Sequence, residues 1–530
     1  MHVVRLARLL AYLAPALMFT TAAAQDTSPV AQTGNEWYQQ GEKTLQQMLK
    51  IQPNMDQAKN VIIFIADGAD PVSITATRIL DGQQKGMSGE DNILSYDTFP
   101  NVALVKTYTA DSQVPDSAPT ATAWNSGVKS NNGTIGVNAS VKHDNCASQK
   151  GNAVTSIIEL AEMAGMATGT VSTARLTHAT PAANYAHTAN RDWEADTDLT
   201  DEAKQNGCTD IAAQLLAFPY GNGLEVAMGG GRTNFLPETV TDPEYADDQG
   251  ARADNQDLTK AWTQQDNAAY VWNKKQFDAV DPATTDHLLG LFEPSHMQYE
   301  ADRVDDPSGE PSLSEMTSKA IDILAKNNNG YVLQVESGRV DHALHANNAY
   351  RALTDNIEFA KTVQMTMDKV DLGDTLILVT SDHGHTLAFA GYPERGNPIL
   401  GLVKAVNEET GESEVVMAQD GKPYTTLGFL NGPGSIYYAA ENEDGTVPEG
   451  AGRAPQRPKP TKVQEKDYLQ SALVPLDSET HGGSDVAAYA IGPRSFLVRG
   501  VIEQNYLFQV MNYALNLTER AQQGGNNGGK

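Results

Sequence analysis

Cysteine is nearly absent from this chain, with two in 530 residues, Cys146 and Cys208. That scarcity excludes a disulfide-dense scaffold. Two sulfurs 62 positions apart, with no local Cys or His partner, also fail to make the closed tetrahedral pattern of a structural zinc. Basic residues are in deficit as well: 38 Lys+Arg face 67 Asp+Glu, a formal charge of -29. Such a surface repels nucleic acid and anionic lipid, so neither is an expected partner. The acidic excess reads as a solubility feature suited to a salty medium, or as a role with divalent cations. Long apolar runs are missing too, apart from Leu9 to Phe19, which follows Arg5 and Arg8 and precedes Ala22-Ala23-Ala24. That run is too short to span a bilayer well and has the layout of a secretory signal peptide. Met1 to Ala24 is therefore expected to be removed, leaving a periplasmic or extracellular protein with no membrane segment. In an exported chain, a single Cys146–Cys208 disulfide is the default pairing.

The length allows one large α/β domain with insertions, or several domains. Glu36 to Leu49 reads as an amphipathic helix with Trp37, Leu45 and Leu49 on one side, fit to cover its own domain or a second subunit. Short apolar runs at Asn60 to Ala66, Thr168 to Ser172, Tyr331 to Val335 and Thr375 to Thr380 have the character of buried strands. Helical patterns at Val154 to Ala164, Glu315 to Lys326 and Ala349 to Lys369 alternate with them. A central, mainly parallel sheet flanked by helices is the economical fold. The stretch from Val403 to Glu479, rich in Gly, Pro and charge, breaks the alternation and reads as holding an inserted subdomain, with Pro455 to Pro460 as a linker or extended loop.

Three of the strands run into a carboxylate: Asp67, Glu336 and Asp382. At the carboxyl ends of parallel strands these acids would line one edge of the sheet. Any one of them alone would pass for a helix cap. Histidines stand beside them, seven of the chain's 11 falling in four short segments: His178 and His187, His342 and His345, His383 and His385, and His481. Asp341 and His345, four apart, share a helix face and can share a metal. Mixed N/O ligands suit zinc, whereas Glu336 and Thr180 offer oxygen alone and suit magnesium. The nucleophile candidate is Ser117 in Val114-Pro-Asp-Ser-Ala-Pro-Thr-Ala-Thr-Ala-Trp124. A helix starting there would aim backbone N–H groups at a phosphate. Standing alone, Asp116 or Ser117 would pass for an N-cap.

Together these segments resemble the alkaline phosphatase family, animal and marine-bacterial branch. The resemblance rests on Asp116-Ser117-Ala118-x-Thr120-Ala121-Thr122, Thr177-His178-Ala179-Thr180-Pro181-Ala182, Asn190-Arg191-Asp192-Trp193, Val335-Glu336-Ser337-Gly338-Arg339-Val340-Asp341-His342, Ser381-Asp382-His383-Gly384-His385 and Glu479-Thr480-His481-Gly482-Gly483. It implies a phosphomonoesterase working through a phosphoserine on Ser117, with Arg191 clamping the phosphate. It implies one zinc on Asp341, His345 and His481, and a second on Asp67, Asp382 and His383. Magnesium would take Asp67, Thr180 and Glu336, with His178 and His342 alongside. A calcium site is implied at Glu244, Phe292, Glu293 and Glu310. Small phosphate monoesters would be the substrates, and a homodimer the assembly. The implied organisation is a helical arm at 25–53, a catalytic domain at 54–402 and 465–518, a crown-like insertion at 403–464 and a flexible tail at 519–530. Ala66 and Ala69-Asp70 depart from the family pattern and add a carboxylate near Asp67. The segment between His383 and His481 is also longer than the family's. A sulfatase of the same superfamily would need Cys or Ser in a C/S-x-P-x-R context, which neither cysteine nor Ser117 has. A phosphodiesterase or an inactive metal- or phosphate-binding protein is the remaining alternative, although no ligand is missing from the set.

Overall fold

The computed structural model describes residues 30–435 and 462–527. The expected signal peptide, the Pro455 to Pro460 linker and residues 436–461 of the insertion lie outside that range. The chain divides into two compact units, Met1–Gln52 and Pro53–Lys530. In the first, the helix Glu36–Met48 is capped by Asn35, whose side chain accepts the Trp37 and Tyr38 N–H groups. None of its residues is buried. Among the described residues no helix is long and apolar enough to cross a membrane.

The second unit is built on a ten-stranded sheet. Its strands include β1 (Asn60–Ala66), β2 (Asn101–Lys106), β3 (Ala167–Arg175), β4 (Val226–Gly230), β5 (Ala268–Val271), β6 (His287–Leu291), β7 (Tyr331–Ser337) and β8 (Thr375–Thr380). Across the sheet the order is Gly500–Glu503, β2, Val486–Ile491, β8, β1, β7, β3, β4, β6, β5. Val486–Ile491 alone runs against its neighbours, so the sheet is mainly parallel, as expected. Every residue of β1 is buried because both sheet faces are covered. Its side chains alternate between two cores. Ile62 and Phe64 join one with helices Pro71–Gln84, Leu313–Leu324 and Ala349–Lys369. Val61, Ile63 and Ile65 join the other with Ser117–Ser126, Ile157–Met163 and Tyr506–Leu515. The period-2 pleat of one apolar run thus makes a three-layer sandwich.

Three departures from the sequence reading have local causes. Asp70 is the N-cap of Pro71–Gln84, its Oδ1 accepting the Val72 and Ser73 N–H groups, with Pro71 in the first turn, so one oxygen of its carboxylate serves the helix end. The expected tail instead carries the helix Leu517–Asn527, anchored by buried Leu517 and Ala521. Around the insertion, a three-stranded sheet of Leu387–Phe389, Leu427–Gly432 and Ala472–Pro475 starts before and ends after the expected 403–464 span. The Lys404–Val406/Ser413–Val415 hairpin lies within that span. A satellite core of Val137, Val141, Trp193 and Ala203 surrounds the disulfide, which joins Cys146 to Cys208.

Candidate active site

Four adjacent strands, β8, β1, β7 and β3, deliver the candidate residues to one edge of the sheet. Asp67 follows β1, and Asp382 and His383 follow β8. Glu336 lies near the end of β7, in register with Ile65 of β1 and Ser172 of β3. Asp341 and His345 come from the short helix Arg339–His345 just beyond β7, and Thr180 from the turn after β3. His481 is brought in by pairing of His481–Gly482 with Gly384–His385. A cavity of about 590 Å³ lined by Glu225, Asp286 and His287 lies at the opposite, amino-terminal edge and holds none of these residues.

Asp341, His345 and His481 converge tightly. His345 Nε2 and His481 Nε2 are 3.1 Å apart, and each is 3.4 Å from Asp341 Oδ1. The Nδ1–H of His345 donates to the Glu479 carbonyl, and that of His481 to the Pro115 carbonyl at 2.7 Å. Both Nε2 atoms therefore aim lone pairs at each other, an arrangement that repels unless a cation sits between them. A tetrahedral zinc with its usual bond lengths has ligand–ligand edges of about 3.3 Å, so the donor spacing fits the ion. The second group matches similarly. His383 Nε2 lies 3.1 Å from Asp382 Oδ2, 3.5 Å from Asp67 Oδ1 and 3.2 Å from Ser117 Oγ, which brings the serine oxygen to the edge of the group. The third group brings Asp67, His178 and Glu336 together. In these last two groups both Asp67 oxygens, Asp382 Oδ2 and Glu336 Oε1 are buried with no partner at hydrogen-bonding geometry, and so is Oγ1 of Thr180. Orphaned buried acceptors are costly, and their concentration here is what a cation would relieve.

The electrostatics agree. Burial, and then the carboxylates of Asp382, Asp341 and Glu336, push Asp67 well above the usual carboxylate range. Burial lifts Glu336 to about 7. Asp341 is also opposed by burial, yet His345, His385 and His481 hold it well below its ordinary value. Burial lowers His345 and His383, keeping both neutral and fit to ligate.

Ser117 opens the helix Ser117–Ser126, with Asp116 as N-cap accepting the Ala118 N–H at 2.7 Å. Fully buried Ala118 and Ala121 let that helix press onto the sheet, and Trp124 locks it by donating to Gln334 at 2.9 Å. Arg191 is held from both ends of its fork, Nη1 donating to Asp116 at 3.2 Å and Nη2 to His178 Nε2 at 2.8 Å. Each terminal nitrogen keeps one N–H free for a phosphate oxygen. His342 packs on His178 with ring centroids 5.5 Å apart.

Sequence reading missed four residues. His385 is buried between two carboxylates, 2.7 Å from Asp341 Oδ1 and 2.5 Å from Glu479 Oε2. Against the lowering effect of burial, those acids raise its pKa to about 10. Glu479 also accepts from the Thr386 N–H and hydroxyl, both at 2.6 Å. Both residues sat inside quoted motifs. Asp306 groups with Glu244 and Glu293, whereas Glu310 accepts the Gln298 N–H at 3.1 Å outside that cluster. Phe292 packs its ring on Phe277 in the core. The charge spacing around Pro307 gave no way to choose between Asp306 and Glu310. The fourth, His296, had no motif around it. His187, by contrast, stays out of the site and bridges Glu159 and the Gly136 carbonyl.

The family model described as Alkaline phosphatase matches residues 58–517. The chain is 43% identical over 487 residues to the tissue-nonspecific alkaline phosphatase of Gallus gallus, covering 90% of this chain and 88% of that protein. It is 41% identical over 501 residues to the alkaline phosphatase of Gadus morhua, covering 93% and 98%. Among solved structures, the Thermus thermophilus alkaline phosphatase superposes with a TM-score of 0.60 at 24% identity, covering 91% of this chain and 98% of that one. The enzyme of the Antarctic bacterium TAB5 gives 0.57 at 22% identity, covering 87% and 99%. By its sequence over most of its length, the chain belongs to the alkaline phosphatase family of phosphomonoester hydrolases.

Proposed function

We propose that this chain hydrolyses phosphate monoesters through a phosphoserine on Ser117, with one zinc held by Asp341, His345 and His481, a second by Asp67, Asp382 and His383, and magnesium by Asp67, Thr180 and Glu336. The observation that carries this reading is the facing pair of His345 and His481 lone pairs, 3.1 Å apart and both fixed by backbone carbonyls. When bound, these ions supply Lewis acidity and neutralise the charge of phosphoryl transfer. The chain's own residues do the rest. Ser117 Oγ sits at a helix N-terminus, where N–H groups and the positive dipole end favour a phosphate in front of it. Its Oγ gives up its proton and attacks phosphorus in line while the ester P–O bond breaks, the leaving oxygen takes up a proton to depart as the alcohol, and water later attacks the phosphoserine, releasing phosphate and returning a proton to Oγ. Arg191 binds two phosphate oxygens with its two remaining terminal N–H groups, while Asp116 and His178 stop it from turning away. His385 and Glu479 fix Asp341 from behind.

Calcium is assigned to Glu244, Glu293 and Asp306, an all-oxygen set in which burial lifts Glu293 to about 7 and Asp306 to about 6. An exported protein is supported by the signal-like leader and the Cys146–Cys208 bond. A homodimer is supported by the amphipathic helix Glu36–Met48, which leaves Trp37, Leu45 and Met48 exposed.

The test is hydrolysis of a chromogenic phosphate monoester by wild type and Ser117→Ala, with and without a chelator. Activity is expected in wild type, lost on chelation, restored by zinc plus magnesium, and nearly absent from the variant. Equal activity in all arms would discard the assignment.

A further inference from the structure

His296 belongs to none of the four acidic and histidine clusters that can hold a metal. It nonetheless stands in the fold where it can act on the phosphate clamp. Its ring lies 4.0 Å, centroid to centroid, from His342 and 5.4 Å from His178, edge-on to the latter. His178 is thus boxed by two imidazoles, and in that orientation its Nε2 meets Arg191 Nη2 at 2.8 Å. His296 is itself pinned. Both ring nitrogens face Arg175, Nδ1 at 3.1 Å from the backbone N and Nε2 at 2.5 Å from Nη1, and the neutral imidazole accepts through one of them. Arg175 is anchored in turn by Glu194, through Nε at 2.8 Å and Nη2 at 2.5 Å.

The backbone beneath His296 is equally fixed. Gly231 N–H donates to the Ser295 carbonyl at 2.6 Å, and Met297 N–H to the Thr173 carbonyl at 3.0 Å. A Cβ at Gly230 would fall 2.0 Å from the Ser295 oxygen and 3.1 Å from the His296 carbonyl carbon, so only glycine lets this loop pass. A rigid loop therefore presses a ring against the one side chain, besides Asp116, that holds the Arg191 fork.

We propose that His296 is a positioning residue for phosphate binding: its ring wedges His178 into the orientation that keeps Arg191 aimed at the phosphate. The proposal rests on the reading of Arg191 as the phosphate clamp. Removing the ring leaves a void beside His178 into which the imidazole can turn, and Arg191 then keeps Asp116 alone as an anchor. The loss falls on binding of the phosphate dianion more than on chemistry at Ser117.

The measurement is the inhibition constant of inorganic phosphate, with kcat and KM, for His296→Ala and His296→Phe, each in the wild-type and Arg191→Ala backgrounds. Thermal melts confirm that each variant is folded. His296→Ala is expected to raise the phosphate constant and KM roughly five- to ten-fold while kcat changes less than about two-fold. In the Arg191→Ala background the same substitution should change the constant less than about 1.5-fold, since its effect runs through the missing guanidinium. His296→Phe, which refills the ring volume, should return the constant to within about two-fold of wild type. An unchanged constant in His296→Ala, an equal rise in both backgrounds, or a Phe variant as weak as the Ala variant would overturn the wedge. If the alanine variant fails to fold, His296→Asn takes its place under the same criteria. If Arg191→Ala itself leaves phosphate binding unchanged, the clamp reading fails, and that outcome is distinguishable from failure of the wedge alone.

Discussion

Asp67→Asn should make the metal-free protein more stable. Asp67 belongs to two clusters, with oxygens of Asp382 on one side and Glu336 on the other no more than 4.8 Å away. At that spacing and an effective dielectric of about 20, each like-charge pair opposes folding by about 3 kcal/mol, and neither Asp67 oxygen has a hydrogen-bond donor to offset it. Asn removes the charge and keeps an N–H donor for the neighbouring carboxylates of Asp382 and Glu336. The unit Pro53–Lys530 has an unfolding entropy near 1 kcal/mol per kelvin on ordinary per-residue values, so removing both pairs, about 6 kcal/mol at a pH where Asp67 is ionised, moves Tm by about 6 °C. The pH dependence has a fixed sign. The folded pKa of Asp67 lies above its ordinary 3.8, so the native protein binds the extra proton. The stability this gives is full below about 3.8 and is lost as pH rises through the folded value. The advantage of Asn is therefore small in acid and largest in alkali. Zinc and magnesium should reverse the order, since a ligand at a hundred times its Kd adds about 2.7 kcal/mol per site and Asn weakens two sites at once. Calorimetry of chelator-treated and metal-loaded protein, at one concentration and scan rate, reads all four values. A metal-free variant melting at or below metal-free wild type, with metals stabilising both equally, would refute the reasoning.

Other perturbations are checked independently. Glu162, pushed to about 9 by burial and by Glu225, should yield in Glu162→Gln a protein whose Tm advantage grows from about pH 5 to about pH 9; a gain independent of pH contradicts the assignment. Replacing Cys146 and Cys208 together by Ala frees a 62-residue loop and should lower the unfolding free energy by about 4 kcal/mol in denaturant titrations. Glu479→Gln turns an amide toward His385 and Thr386 and should weaken zinc binding roughly 10- to 100-fold in competition with a colorimetric chelator, an effect visible without any turnover.

Much of the architecture was legible because β1, β7 and β8 are runs buried on both faces, which leave an uninterrupted apolar signal. Helix Ala349–Lys369 matches its expected bounds for a similar reason, a long periodic pattern capped by Asn348. The expected start at Val154 of another helix fails, because Ser156 and Glu159 form a capping box that starts it at Ile157. Likewise the residues proposed as ligands were readable as candidates where strand ends and the four-residue spacing of Asp341 and His345 fix their placement. His385, Glu479, Asp306 and His296 act through contacts across 44, 94, 62 and 121 positions respectively, and no local pattern encodes such pairings. Asp70 shows the converse: a carboxylate beside the site in sequence is absorbed by a helix end.

The central claim, that Ser117 Oγ carries the phosphoryl group between substrate and water, is tested most directly by acid-quenching the metal-loaded enzyme with a phosphate monoester and mapping the modified peptide by mass spectrometry. The expected result is one phosphoryl group on the peptide containing Ser117, at that residue, and none in Ser117→Ala. Turnover with no phosphopeptide, or the same modification persisting in the alanine variant, would contradict it.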